Sequence, residues 1–505
     1  MHKVSPIKHI DQLTMETGMR TNPWIHRLMA WMSSARMPTY SDARRRLLLA
    51  AIGLLGLAAT NLAGADDKRD GGSKWAASWA TSIQSAYVLP TTPQGAAVSG
   101  FDPQPDLSIP LPNATTQGAV NQTFRMIIKP DLWGRTVRVR FSNVFGTKPV
   151  TFGNVAVALQ EYQANLVPGT SVPLTFKGSR RVTVPAGQQL FSDPVELPFV
   201  PADNPRALAG RNVAVSFAVD GASGPASHHA TAFTTSYISP PHSGDKVLSE
   251  DDTAFPYSTT SFFFVSELDV LAPKDTLVVV AFGDSITDGT FSTLNGNDRW
   301  ANVLSHQLHK RFGSRVSVVN AGIGGNAVAA PVTGQPATQR VVRDVIGLSG
   351  VNAVVWLEGI NDLGSALSTP EPIIAGYKQV VAALRKARIG VIGATITSSY
   401  VPNGQVPANS PLAAAGTALA AQYGSAQTDA YRKTLNRFIL TSGLFDATAD
   451  FDAVTTDPAT GTLYPQFVPN SEGSAGDYLH PNRAGYQVMG VTAAQAVFGW
   501  LRSAH

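Results

Sequence analysis

The chain has 505 residues, no cysteine, 39 Lys and Arg against 35 Asp and Glu, and 44% hydrophobic residues. That length gives two or three domains with ample core. The lack of cysteine excludes disulfides, a thiol nucleophile, Cys-ligated zinc and iron–sulfur clusters, so any covalent catalysis must use an oxygen or an amine.

Near the N-terminus Arg44, Arg45 and Arg46 precede an apolar run over 47–59, and Ala63-Gly64-Ala65 follows. The pattern predicts a secretory signal peptide cleaved after Ala65, because the run is too short for a good membrane span. Residues 1–65 are therefore read as a leader, with translation starting at Met1 or Met37 and export by the general or, on a loose match, the twin-arginine route. The expected location is secreted or periplasmic, with no stable membrane span after leader removal. The leader carries eight Lys and Arg against three Asp and Glu, which leaves 31 against 32 in the rest. The basic balance belongs to the leader, no Lys/Arg run survives beyond it, and a nucleic-acid partner is not expected.

From Trp75 to about Val270 the pattern has period two, within a domain expected over 66–272. Val137, Val139 and Phe141 alternate with Arg138, Arg140 and Ser142, and Val213, Val215, Phe217 and Val219 repeat the pattern. Clusters of Pro, Gly, Asn and Asp separate such runs, which predicts an all-β sandwich or jelly-roll domain. Trp75, Trp79 and Tyr87 are read as packing residues, with a sugar-stacking surface as the alternative. His228 and His229 form a poor chelate, since adjacent strand residues face opposite ways, and are read as a polar loop. The last strand of this domain is expected over 261–270, with 272–275 as a linker.

After Thr276 the period changes. Short apolar runs at 277–282, 316–319, 353–357 and 389–396 alternate with helical patterns at 299–312, 338–346, 373–388 and 429–440, and a final helix is expected over 482–502. Alternating strand and helix predicts an α/β domain, a parallel sheet flanked by helices, over 273–505. A segment rich in Ala, Gly, Pro and Ser, 398–427, follows the fourth strand and is expected to border and gate the site, with a disordered spacer as the alternative.

The first of these strands ends at Gly283-Asp284-Ser285, which puts a serine at the C-terminal end of a central strand, where open α/β sheets place ligands. By itself that tripeptide occurs by chance in about one chain in ten of this length. Three further stretches also follow strands or close the chain: Asn320 to Asn326 with two adjacent glycines, Glu358-Gly-Ile-Asn-Asp362, and Asp477-Tyr-Leu-His-Pro481. Together they supply the parts of acyl transfer. Ser285 is the candidate nucleophile, His480 its base and Asp477 the carboxylate that orients the imidazole. The Ser285 and Gly325 N–H groups and the Asn361 amide are the candidate oxyanion donors. The scheme requires no metal or cofactor, and none is expected.

This set resembles the SGNH, or GDSL, hydrolase family. The matching positions are Gly283-Asp284-Ser285, Gly325, Asn361, and Asp477 with His480, and the resemblance covers 276–500. Phe282 to Gly289, Arg299-Trp300, Val354 to Gly364 and Gly476 to Gly485 are similar to the secreted xylan-esterase-like subgroup, in which a β domain precedes the catalytic one. The resemblance implies a serine esterase acting on small-molecule or polysaccharide esters. An ordinary α/β-hydrolase is disfavoured because Thr287 stands where its nucleophile elbow needs a second glycine. A lipase or arylesterase for longer acyl chains and a non-catalytic carbohydrate-binding protein are the alternatives. The residues expected to rim the site, 320–336 and 469–476, are mostly small or polar, which favours a short acyl group such as acetyl; an apolar lid formed by Leu412, Leu419 and Tyr423 is the alternative that would reverse this preference.

Overall fold

The computed structural model describes residues 72–86, 104–402, 421–472 and 476–503. The leader 1–65, Tyr87 and residues 403–420 of the Ala-rich segment lie outside the described residues.

The period-two half folds as two antiparallel sheets. The first has the order Ser73–Ala80, Val265–Pro273, Thr136–Ser142, Gln189–Phe191, with Val195–Glu196 also paired to Thr136–Ser142. The second has the order Tyr257–Thr259, Ser236–Ile238, Val120–Ile128, Val213–Ala222, Val150–Leu159, Val172–Pro173, with Val182–Val184 also paired to Val150–Leu159. Their inner faces meet where Phe141 of the first sheet contacts Phe152 and Phe217 of the second, at ring-centroid distances of 4.8 and 5.4 Å. The alternation explains the sandwich. Val137, Val139 and Phe141 point into this aromatic core and are buried, while Arg138 and Arg140 point to the opposite face. That opposite face is not left to solvent. Arg138 donates to Asp269 at 2.8 Å and to the Ser349 hydroxyl at 3.1 Å, and Arg140 donates to the Gly347 carbonyl at 2.8 Å. The arginines thus tie the sandwich to the turn that precedes a strand of the second half.

The second half is a five-stranded, wholly parallel sheet. Its strands are β1 (Leu277–Gly283), β2 (Val316–Gly322), β3 (Ala353–Leu357), β4 (Gly390–Ala394) and β5 (Ala447–Ala449), in the order β2-β1-β3-β4-β5. The continuous apolar run in β1 is needed because both faces are covered: Val278, Val280 and Phe282 enter one core and Val279 and Ala281 the other. Helices α1 (Ser285–Asp288), α2 (Trp300–Phe312), α3 (Ala337–Val341), α4 (Ile360–Gly364), α5 (Pro370–Lys386), α6 (Ala426–Thr441), α7 (Phe451–Thr455) and α8 (Arg483–Ser503) complete the half. With this order the winding reverses between β1 and β3, the crevice where doubly wound sheets bind ligands.

Three expectations need correction. The supposed linker 272–275 is mostly strand, since Val265–Pro273 pairs with Ser73–Ala80 as far as Pro273, leaving a tight turn closed by the Thr276 N–H to the Pro273 carbonyl at 2.9 Å. His228 and His229 are no polar loop: they form a buried two-residue strand against Phe262–Phe263, with His228 stacked on Phe263 and His229 on Phe262. The helix expected at 338–346 is α3 followed by a wider π turn, Val342–Ile346. The short strand β5 and the one-turn helix α4 carry too few residues for a period to show. The described residues pack as one compact unit, and Trp79 contributes to its packing edge-on to Phe262 at 4.9 Å.

Candidate active site

Gly283 ends β1 where a side chain has no room, because a Cβ there would lie 2.0 Å from the Leu357 carbonyl oxygen. Asp284 then caps α1, accepting the Ile286 N–H at 3.0 Å. Ser285 is the first residue of α1, so its N–H has no helical partner and points off the helix start. Its hydroxyl lies 2.7 Å from His480 Nε2. His480 Nδ1 lies 2.6 Å from Asp477 Oδ2. The other Asp477 oxygen accepts the N–H groups of Leu479 and His480 at 3.0 and 2.9 Å, so one carboxylate both folds the turn and orients the ring. The three-residue spacing of Asp477 and His480 follows from that turn, in which Tyr478 takes the left-handed conformation at φ +59°. All three side chains are buried, Ser285 being 6% exposed.

Gly325 sits in the turn closed by the Asn326 N–H to the Ile323 carbonyl at 3.1 Å. It has φ +73°, and a Cβ would lie 2.6 Å from the Thr333 hydroxyl, so glycine is required twice over. Its N–H has no bonded partner among the described residues. Asn361, on α4 after β3, donates one amide hydrogen to the Asn326 carbonyl at 2.7 Å. Its carbonyl accepts from the Tyr423 hydroxyl at 2.5 Å. The bond to the Asn326 carbonyl, which can only accept, fixes which end of the amide is the donor and leaves the second Nδ2–H for a ligand. The structure therefore brings Ser285, Gly325, Asn361, Asp477 and His480 onto one edge of the sheet.

Beneath them lies a buried charged layer that the sequence reading missed. Arg340 of α3 is fully buried. It donates to Asn326 Oδ1 at 2.7 Å, the Ala321 carbonyl at 2.8 Å, the Gly283 carbonyl at 2.7 Å and Glu358 at 3.4 Å, and its guanidinium stacks 4.1 Å over Phe282. One side chain thus links the ends of β1, β2 and β3. Asp362 accepts the N–H groups of Val328, Ala329 and Ala330 at 2.7, 2.9 and 3.2 Å, fixing the loop that carries Gly325. Burial raises the Glu358 carboxyl to about 6 although Arg340 opposes it. Burial and the neighbouring Glu358 push Asp284 well above the usual carboxylate range, and burial also raises Asp362. Asp362 lay in the Gly-Ile-Asn-Asp stretch and could have been read from it; nothing in the sequence around Arg340 distinguishes it from a surface arginine. Phe291 packs on His480 at 5.9 Å between centroids.

A cavity of about 490 Å³ lies nearby, lined by Trp79, Trp133, His229, Asp288, Arg299 and Asn302 among others, but Ser285 and His480 do not border it. The bonded set Ser285, His480 and Asp477 lies apart from this cavity's lining. Among the described residues no helix is long and apolar enough to cross a membrane.

Residues 281–488 match the GDSL-like lipase/acylhydrolase family, a span that holds all five site residues. The chain carries a GDSL-like acylhydrolase domain. No curated protein matches the chain. Among solved structures, this chain is similar to a lipase/acylhydrolase from Enterococcus faecalis, at 18% identity over 44% of this chain and 96% of that one, with a TM-score of 0.33. It is also similar to a carbohydrate acetylesterase family member from Sinorhizobium meliloti, at 17% identity over 45% and 99% with a TM-score of 0.33. A GDSL-like lipase from Bacteroides thetaiotaomicron is similar at 18% identity over 45% and 90%, with a TM-score of 0.32. The GDSL domain of this chain is preceded by the antiparallel sandwich, which the family match does not include.

Proposed function

We propose that the chain is a serine esterase that hydrolyses short-chain acyl esters through an acyl-enzyme on Ser285. The observation that carries this reading is the continuous chain of bonds from Ser285 Oγ through His480 to Asp477, at 2.7 and 2.6 Å. In the reaction Ser285 Oγ attacks the ester carbonyl carbon as its proton passes to His480 Nε2. Asp477 holds the opposite ring N–H and stabilises the imidazolium that forms. The carbonyl oxygen becomes an oxyanion held by the N–H groups of Ser285 and Gly325 and the second amide hydrogen of Asn361, each donor contributing roughly 3 to 4 kcal/mol to the transition state. Collapse of the tetrahedral intermediate breaks the bond to the alcohol, which leaves with the proton from His480. Water then attacks the acyl group by the same route and releases the acid and free Ser285.

The short-acyl preference rests on the small residues at 320–336, since a long chain needs apolar surface worth about 0.8 kcal/mol per buried CH₂. The alcohol is proposed to be polar and sugar-like, in keeping with an exported protein whose leader is removed after Ala65. The sandwich, 66–272, and the catalytic half, 273–505, are proposed as its two domains. Aryl esters graded from acetate to palmitate test the reading. Acetate or propionate should exceed esters of about eight carbons or more by at least about tenfold in kcat/KM, or about 1.4 kcal/mol; a maximum at the long end would favour a lipase.

A further inference from the structure

One of the sandwich's contacts with the active-site machinery converges on a carboxylate. Asp288 is the last residue of α1, three residues after Ser285, and is 3% exposed. One of its oxygens lies 3.0 Å from His229 Nε2. The other accepts from the Thr231 hydroxyl at 2.5 Å and from the Gly324 N–H at 3.1 Å. His229 and Thr231 belong to the sandwich, and Gly324 immediately precedes the oxyanion glycine. The far ring nitrogen of His229, Nδ1, lies 2.8 Å from the Ser82 carbonyl oxygen. A carbonyl and a carboxylate can only accept, so both ring nitrogens carry hydrogen and the buried ring is an imidazolium paired with Asp288.

We propose that His229 and Thr231 are positioning residues of the esterase, acting through Asp288 to hold the Gly324-Gly325 segment in the orientation that aims the Gly325 N–H at the oxyanion. The proposal rests on the esterase reading above. The physical need is plain. Two successive glycines are the least constrained pair the chain can place in a loop, yet the Gly325 N–H must be fixed before the reaction begins. The Asn326-to-Ile323 turn fixes one side of that pair, and Asp288 fixes the other by taking the Gly324 N–H. Asp288 can do so only while its own orientation is set, and His229 and Thr231 set it from outside the GDSL domain. A mere strut between the two halves would not need to converge on the carboxylate that binds this loop.

The experiment uses the full chain and an aryl acetate, with kcat and KM measured separately and folding followed by circular dichroism. H229L, which removes the donor, should lower kcat between about tenfold and 100-fold while KM moves less than about twofold, the pattern of a misplaced oxyanion donor. H229Q, whose amide N–H reaches the same position, should restore most of that loss. T231V removes only a hydroxyl and should lower kcat in the same direction by about threefold or more. Folded H229L or T231V protein with wild-type kcat would overturn the proposal, as would an H229Q variant no better than H229L. If H229L does not fold, T231V decides. S285A is run alongside: if it stays active, the esterase reading fails, and if it is inactive while the T231V and H229L kcat values are unchanged, only the positioning role fails.

Discussion

At the scale of single residues, the proposed oxyanion donor Asn361 gives the sharpest expectations. Asn361 offers one Nδ2–H to a ligand only while the Tyr423 hydroxyl holds its carbonyl at 2.5 Å. N361A removes the donor and should lower kcat by about two to three orders of magnitude with the fold intact. Y423F leaves the donor but frees the amide to rotate, so its loss should be smaller, about tenfold in kcat. Steady-state kinetics on an aryl acetate measure both, and a Y423F variant as impaired as N361A would show that Tyr423 does something other than orient Asn361. Tyr423 also shows what sequence cannot resolve. In the sequence it is one large residue in an Ala-rich segment and reads as part of an apolar lid with Leu412 and Leu419. In the structure it is buried, bonded to Asn361 and to the Ser365 hydroxyl at 2.5 Å, while Leu412 and Leu419 lie outside the described residues.

At the scale of elements, the sheet edge is held together by charge that is never exposed. Arg340 serves the ends of three strands at once, so R340M would leave Glu358 buried without its cation and several carbonyls without a donor. Breaking a buried pair in this way should cost about 3 to 5 kcal/mol, read as a lower urea midpoint. An unchanged midpoint would contradict the role given to Arg340. Glu358 adds a pH dependence whose sign is fixed. Its carboxyl is raised to about 6 from an ordinary 4.5, so the folded chain holds the proton more tightly than the unfolded chain. Its contribution to stability is complete below about 4.5 and is lost as pH rises through about 6, a change of about 2 kcal/mol. Asp284 and Asp362 are shifted in the same direction. Denaturant midpoints between pH 4.5 and 6.5 should therefore fall more steeply with pH for the wild type than for E358Q; equal slopes would refute the assignment. Strands β1 to β4 were legible because a sheet covered on both faces demands continuous apolar runs, and α2, α5, α6 and α8 because they keep an unbroken period. The polar layer was not legible, because a buried arginine is written with the same letter as an exposed one and its partners Asn326, Gly283 and Glu358 are far apart in sequence.

At the scale of the whole molecule, the sandwich and the GDSL domain share more than a chain connection. Besides Arg138 and Arg140, the Ala77 N–H donates to the Ser349 carbonyl at 2.9 Å and the Ser317 hydroxyl to the Ala77 carbonyl at 2.6 Å. The change of period after Thr276 was legible, whereas this interface was not, since the alternating Arg138 and Arg140 look like the solvent face of a strand. With buried polar bonds joining the halves, thermal unfolding should show one cooperative transition, with equal calorimetric and van't Hoff enthalpies. Two separated transitions would mean that the halves are independent. The central claim is that Ser285 forms the acyl-enzyme, and intact-mass spectrometry after treatment with a fluorophosphonate, followed by peptide mapping, tests it most directly. A single adduct per chain is expected, on Ser285, absent from S285A and formed far more slowly in H480A. An adduct on another residue, or ester hydrolysis that persists in S285A, would contradict it.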